Sequence, residues 1–281
     1  MSRRIAIVLN QYAGSGRSVA YAQELHQKLT DKGVMSTIIP SPWPDSLKEF
    51  SEAWIVGGDG TINVFLNQYP DIGIPLMIHK GGSGNDFFDL LYHDANLDAM
   101  LEIGLKGATK RIDAGLCNGR IFVNGVGAGF EGWVAKTLIS KNKKVGIAAY
   151  WWTVIRGIFT FKENYYELSG ANVNYKGKAL LLDIMNGYRA GGGFQIAPGN
   201  KPDDGLFCWV IMKPTGLVGR FINLPKVEKG IHFNSSNFIH GFGNVFTLSS
   251  NETIHYHTDG EYFQAQQLQI TLTPGRYLFI C

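Results

Sequence analysis

The chain has 281 residues, 45% of them hydrophobic, and a net charge of +3. That is enough apolar material for one large or two ordinary cores, and too little charge to indicate nucleic acid, although it suits weak contact with an anionic surface. Cys117, Cys208 and Cys281 are odd in number, far apart and without metal-ligand spacing, which excludes a disulfide framework and points to a reducing, cytoplasmic compartment.

In chain order, the run Ile5-Ala6-Ile7-Val8-Leu9 is too brief for a signal sequence and reads as a buried parallel strand over 5–10. A helix over 18–30, a strand over 35–39, a helix over 45–50, a strand over 54–56, a helix over 61–67 and a strand over 75–79 follow. This alternation predicts a doubly wound α/β domain with ligands at the carboxyl ends of its strands. From about Asp113 the pattern becomes β-rich, with strands over 120–124, 172–175, 179–185, 206–212, 244–248, 253–258 and 268–272, which predicts a second, mostly antiparallel domain. Between these strands the window 141–161 reads as a helix, with Tyr150, Trp151, Trp152, Ile155, Ile158 and Phe159 set among Lys141, Lys143, Lys144 and Arg156. The apolar stretch over 146–161 is shorter than a bilayer span. Such a segment either lies at a membrane interface, admitting lipid to a hydrophobic slot, or packs in the core.

Three loops after predicted strands carry the chemistry. Asn10-Gln11-Tyr12-Ala13-Gly14-Ser15-Gly16-Arg17 can wrap phosphate at a helix start but lacks the Gly-Lys-Ser/Thr ending of a P-loop. Gly57-Gly58-Asp59-Gly60-Thr61, directly after Ala53-Trp54-Ile55-Val56, lets backbone N–H groups approach an anion, and the helix that follows favours negative charge at its start. A carboxylate among phosphates repels them unless a divalent cation bridges the two or the acid handles a proton, so Asp59 points to a kinase. On this reading, removing Asp59 abolishes turnover and leaves the fold intact; the structural alternative is a tight turn with glycines at positive φ. In Gly81-Gly82-Ser83-Gly84-Asn85-Asp86-Phe87, Ser83 and Asn85 can bond a nucleotide and Asp86 can cap the next helix. Parallel topology would gather all three loops around one crevice.

With Asn124-Gly125-Val126-Gly127-Ala128-Gly129-Phe130-Glu131, Gly191-Gly192-Gly193, Ala197-Pro198-Gly199, Asp203-Asp204-Gly205-Leu206 and Asp259-Gly260-Glu261 added, the ordered set resembles the diacylglycerol kinase catalytic family, especially its compact bacterial lipid kinases, over nearly the whole length. The resemblance implies an N-terminal doubly wound, Rossmann-like and NAD-kinase-like α/β domain over 1–113. It implies a mostly antiparallel β-sandwich domain over 114–281 that binds lipid, with the last strand free to return to the first domain. It further implies an ATP site lined by Asn10, Gly14, Ser41, Gly58, Asp59, Gly60, Thr61, Asn63, Ser83 and Asn85. A base for the lipid hydroxyl is implied in Asp259 or Glu261, with Asp59 organising metal and phosphates, and Asp113 resembles a further acid near the cleft. A structural Mg²⁺ is implied at Asp204 with the main-chain carbonyls of Lys201 and Leu206; the alternative is an acidic turn. Two departures stand out: Val64 where relatives often carry Glu, which bears on support of the glycine loop, and His79-Lys80-Gly81 in place of Pro-Leu, which bears on the nucleotide edge of the pocket. The implied activity is ATP- and Mg²⁺-dependent phosphorylation of a lipid hydroxyl, diacylglycerol or a related lipid, by a cytoplasmic enzyme that works peripherally at membranes in phospholipid metabolism. The competing readings are an NAD kinase, which shares GGDGT, and a nucleotide- or lipid-binding regulator without catalysis.

Overall fold

The computed structural model describes residues 3–82, 84–139 and 147–281. Ser83, Lys141, Lys143 and Lys144 therefore lie outside the described residues. The chain divides into two compact units, Met1–Ile112 with Gly275–Cys281, and Asp113–Pro274.

The first unit runs β1 (Arg4–Leu9), α1 (Arg17–Asp31), β2 (Met35–Pro40), β3 (Glu52–Gly57), α2 (Asp59–Gln68), β4 (Leu76–Lys80), α3 (Asp86–Tyr92) and α4 (Leu97–Lys106). The strands pair in parallel in the order β4-β3-β1-β2, and Phe279 from the end of the chain pairs in parallel with Leu76. β1 and β3 are almost wholly apolar because both faces of a parallel sheet are covered. α1 buries the stripe Ala22, Leu25 and Leu29, and α1 contacts α4 while α2 contacts α3. The helix expected over 45–50 is instead a turn. The Phe50 N–H bonds the Leu47 carbonyl, and six residues anchored by the burial of Leu47 and Phe50 are too few to sustain a helix. Parallel order sets the carboxyl ends of β1, β3 and β4 side by side.

In the second unit β5 (Thr109–Cys117), which starts in the first, is followed by β6 (Arg120–Phe122), β7 (Gly125–Gly129), α5 (Phe130–Ile139), α6 (Ile147–Thr160), β8 (Asn164–Gly170), β9 (Val173–Ala179), β10 (Leu181–Met185), β11 (Phe207–Met212), α7 (Leu217–Glu228), β12 (Phe238–Gly243), β13 (Val245–Thr258) and β14 (Glu261–Ile280). The antiparallel path is β12-β11-β10-β7-β13-β14, with β8 on β13 and β9 on β8. Alternation sorts the side chains into two cores. Val126, Ala128, Leu182, Ile184, Phe207, Trp209 and Ile211 pack with Tyr166, Leu168, Phe246, Leu248 and Ile254 on the sandwich side. Leu181, Met185, Cys208, Val210 and Met212 face the opposite side, where Phe130 and Trp133 of α5, Phe161 just after α6, and Leu224 of α7 cover them.

The sequence reading needs two corrections here. The segments 244–248 and 253–258 form one strand, β13, whose register slips between Ser249 and Ile254. The glycine run Gly125–Gly129, which the sequence reading gave no secondary structure, is strand β7, and α7 has no counterpart in that reading. Glycine at 132 lets α5 lie directly on β13, since a Cβ there would collide with the His255 carbonyl oxygen. Gly132→Ala is expected to lower stability by about 1–3 kcal/mol in denaturant unfolding, because the obstacle is backbone and α5 must lift.

Candidate active site

In the first unit the three glycine loops meet as expected, and the contact is backbone on backbone. A Cβ at Gly58 would lie 2.8 Å from the Gly84 carbonyl oxygen and 2.9 Å from Gly82 Cα. One at Gly82 would lie 2.5 Å from Gly58 Cα. Gly58 is extended, so close approach rather than positive φ demands glycine there. Gly14 needs both, with φ of 56° and the Gly81 carbonyl oxygen 2.5 Å from its missing Cβ.

Side chains complete the stitching. Asn10 Nδ2 donates to Thr61 Oγ1 at 2.9 Å, and Asn10 Oδ1 accepts the Tyr12 N–H at 3.1 Å. Asn85 exchanges hydrogen bonds with the backbone of Gly82 at 3.2 and 3.3 Å. The carboxylate of Asp59 accepts the N–H groups of Asp86 and Phe87, each at 3.0 Å. Asp59, the first residue of α2, thus caps the start of α3. Asn63 is fully buried, and its carboxamide oxygen accepts from Asn67 within α2. The Ser41 hydroxyl oxygen, by contrast, is a buried polar atom with no hydrogen-bond partner among the described residues.

Of the departures from the family pattern, Val64 and His79 lie off these loops, while Gly81 opens one of them. Val64 is exposed on α2. His79 is fully buried, bonded through Nδ1 to the Tyr21 hydroxyl at 3.0 Å and tilted against Trp54. Burial drives its pKa down to about 3, so it is a neutral core residue and does not shape a nucleotide edge.

In the second unit Asp259 and Gly260, with φ of 49° and 88°, make a two-residue hairpin turn between Thr258 and Glu261. The turn is built into the fold: Asp259 is buried and accepts the N–H groups of Val123 at 2.9 Å, Asn124 at 2.8 Å and Gly125 at 2.9 Å. A general base needs an open lone pair within reach of a hydroxyl. Asp259 has its oxygens pinned, whereas no hydrogen bond to Glu261 is found among the described residues. Burial raises the Glu261 carboxyl above the ordinary range, nearby Arg120 opposes this, and the Asp259 charge adds to the rise.

Asp113 is buried and accepts the Gly205 N–H at 2.8 Å, which locks the Asp203-Asp204-Gly205-Leu206 turn. Asp204 is exposed and accepts the N–H of Leu206 at 3.1 Å, an Asx turn. The turn offers a dication one exposed carboxylate, with Oδ1 engaged by the Leu206 N–H, and water would fill most of the remaining positions; among the described residues no cluster of three or more His, Cys, Asp or Glu can hold a metal.

The sequence reading missed a polar cluster on the helix side of the central sheet. Asp183 of β10 and His257 of β13 flank Gly127 of β7 in register, and Glu131 descends on them from α5. The signal was a lone acid inside the apolar run Leu181-Leu182-Asp183-Ile184-Met185. Asp59→Ala is expected to lower stability by about 1–2 kcal/mol while the fold persists, because the half-buried cap of α3 is lost. Asp59→Asn, which keeps one acceptor, should cost less; chemical denaturation of the two variants checks this order.

Comparison with known proteins agrees with this anatomy. Residues 4–117 match the diacylglycerol kinase catalytic domain, and residues 124–280 match the YegS C-terminal NAD kinase beta sandwich-like domain. The chain is 30% identical over 223 residues to a Pseudomonas fluorescens protein named as a probable lipid kinase, YegS-like, covering 78% of this chain and 73% of that one. It is 28% identical over 242 residues to the lipid kinase YegS of Escherichia coli K12, covering 82% and 79%. A crystal structure from Bacillus anthracis str. Sterne superposes at a TM-score of 0.77 with 23% identity, over 99% of this chain and 96% of that one. A second, of a diacylglycerol kinase from the same strain, superposes at 0.72 with 20% identity over the same shares. With both halves matched in order, the chain belongs to the YegS-like lipid kinases of the diacylglycerol kinase family.

Proposed function

We propose that the protein transfers the γ-phosphoryl group of ATP to the hydroxyl of a lipid, diacylglycerol or a close relative, with Glu261 as general base. The observation that carries this reading is the contrast within one hairpin: Asp259 is saturated by three N–H donors, while Glu261 keeps a half-buried carboxylate with a raised pKa. The stitched loops after β1, β3 and β4, with the unsatisfied Ser41 hydroxyl, are the assigned nucleotide site. Glu261 takes the proton from the lipid hydroxyl as its oxygen bonds to the γ-phosphorus, and ADP leaves with the bridging oxygen. Mg²⁺ enters as the counter-ion of the nucleotide, where it offsets phosphate charge. Most of the acceleration comes from alignment and charge stabilisation, and the base supplies roughly 10²- to 10⁴-fold.

Lipid access follows from two helices of the second unit. α6 exposes Trp152, Ile155 and Phe159, and α7 exposes Leu217, Val218, Phe221 and Ile222. Phe159 and Phe221 meet at 5.5 Å. Ile158, placed on the contact face by the sequence, is buried instead. Beneath the apolar side chains Arg220 clasps the end of α6, donating to the carbonyls of Ile158 at 2.7 Å and Phe161 at 3.0 Å and to Glu163 at 2.6 Å. Exposed Trp and Phe held on a braced helix pair suit shallow insertion at a bilayer interface, and no helix among the described residues is long and apolar enough to cross one.

Glu261→Gln is expected to lower kcat by about 10²- to 10⁴-fold with little change in KM for ATP. In the wild type, kcat should fall as pH drops through a midpoint above the ordinary carboxylate range, since the raised pKa keeps Glu261 protonated further up the scale. Labelled ATP offered with diacylglycerol, phosphatidylglycerol, a sphingoid base and NAD in parallel tests the acceptor class; transfer to NAD alone would overturn the reading. Trp152→Glu with Phe221→Glu should weaken vesicle binding and turnover of vesicle-borne lipid while sparing a water-soluble short-chain analogue.

A further inference from the structure

We propose that Asp183, Glu131 and His257 form a proton-sharing relay that clamps the Asp259-Gly260 turn through Gly260, in addition to the Asp259 bonds, and so positions Glu261. The inference rests on the assignment of Glu261 as base. The hydrogen bonds fix a direction. The Gly260 N–H donates to His257 Nδ1 at 3.2 Å, so that nitrogen carries no proton, and Nε2 carries it and donates to Glu131 Oε2 at 2.8 Å. Asp183 is fully buried and no donor reaches either of its oxygens. Its neighbour is the Glu131 carboxylate, so two carboxylates adjoin, and a single proton held on Asp183 turns their repulsion into a hydrogen bond. Burial first, and the Glu131 charge second, raise the Asp183 pKa well above the ordinary value, which keeps that proton in place.

Space for the cluster is made by Gly127. A Cβ there would lie 2.7 Å from Asp183 Oδ1, 2.5 Å from His257 Nε2 and closer still to Glu131 Oε2. The polar chain therefore runs from the middle of the sheet along its helix face to the hairpin: Asp183 O–H to Glu131, His257 Nε2–H to Glu131, Gly260 N–H to His257 Nδ1. Asp259 is held by Val123, Asn124 and Gly125. Gly260 is held by His257. A two-residue turn fixed at both residues leaves Glu261, the next residue, little freedom.

The variants that test this separate the two ends of the relay. In His257→Gln the amide nitrogen can still donate to Glu131, but the acceptor for Gly260 is gone. Asp183→Asn replaces the carboxyl proton by an amide N–H aimed at Glu131, whereas Asp183→Ala removes the donor. Expected are losses of ~10- to 100-fold in kcat for His257→Gln and Asp183→Ala, with KM for ATP unchanged, because a displaced catalytic group loses alignment. Asp183→Asn should stay close to wild type. The Gly260 amide resonance in ¹⁵N–¹H spectra of the whole protein should move in His257→Gln and Asp183→Ala, and stay in Asp183→Asn. A Gly260 resonance unmoved by His257→Gln, or Asp183→Asn as impaired as Asp183→Ala while both fold with wild-type melting temperature, overturns the relay. The resonance needs no substrate, so it judges the clamp even if Glu261→Gln keeps its activity and the base assignment itself fails.

Discussion

Both units rest on the same device: a carboxylate that spends its oxygens on main-chain N–H groups from a segment distant in sequence. Asp59 does this for Asp86 and Phe87, Asp259 for Val123, Asn124 and Gly125, and Asp113 for Gly205. Glycine-rich turns have few side chains to hold them, and their buried N–H groups need partners. Charge-assisted hydrogen bonds, about 1.5–3 kcal/mol each, meet both needs. Removing Asp59 or Asp259 strands several donors at once, so these positions tolerate substitution poorly for reasons that precede chemistry.

Seen this way, the motif acids divide by the state of their oxygens rather than by their type. Asp59 and Asp259 stiffen the loops that carry them. Glu261 has no such attachment among the described residues, and burial leaves its carboxyl with a raised pKa, the property that suits a group asked to take and release a proton. Asp183 goes further along the same axis: its depth first, and the Glu131 charge second, raise its pKa well above the ordinary carboxylate value.

The apolar helices add a different constraint. α6 and α7 bury Val154, Ile158 and Val227 and still expose Trp152, Phe159, Val218 and Phe221. Helices apolar on more than their core-facing stripe are costly on a monomer surface unless something else covers them. The Arg220 clasp matters here, because a pair of helices presenting apolar faces outward needs a fixed geometry to present them together.

How much of this was legible follows from range. β1 and β3 announced themselves as apolar runs, the turn at Asp259-Gly260 followed from the Asp-Gly pair, and the three glycine loops were readable because parallel strands bring successive loop ends to one edge. Those are local or topological facts, and the amino-acid order alone contains them. Three others were not local. Which acids are saturated depends on N–H groups roughly 30 to 140 positions away in the chain, which no spacing rule reveals. The strand identity of Gly125–Gly129 depends on neighbours β10 and β13, since glycine has no strand preference of its own. The meeting of Asp183, Glu131 and His257 over Gly127 depends on register, because pleating decides which face each side chain takes and only the paired strands fix that choice.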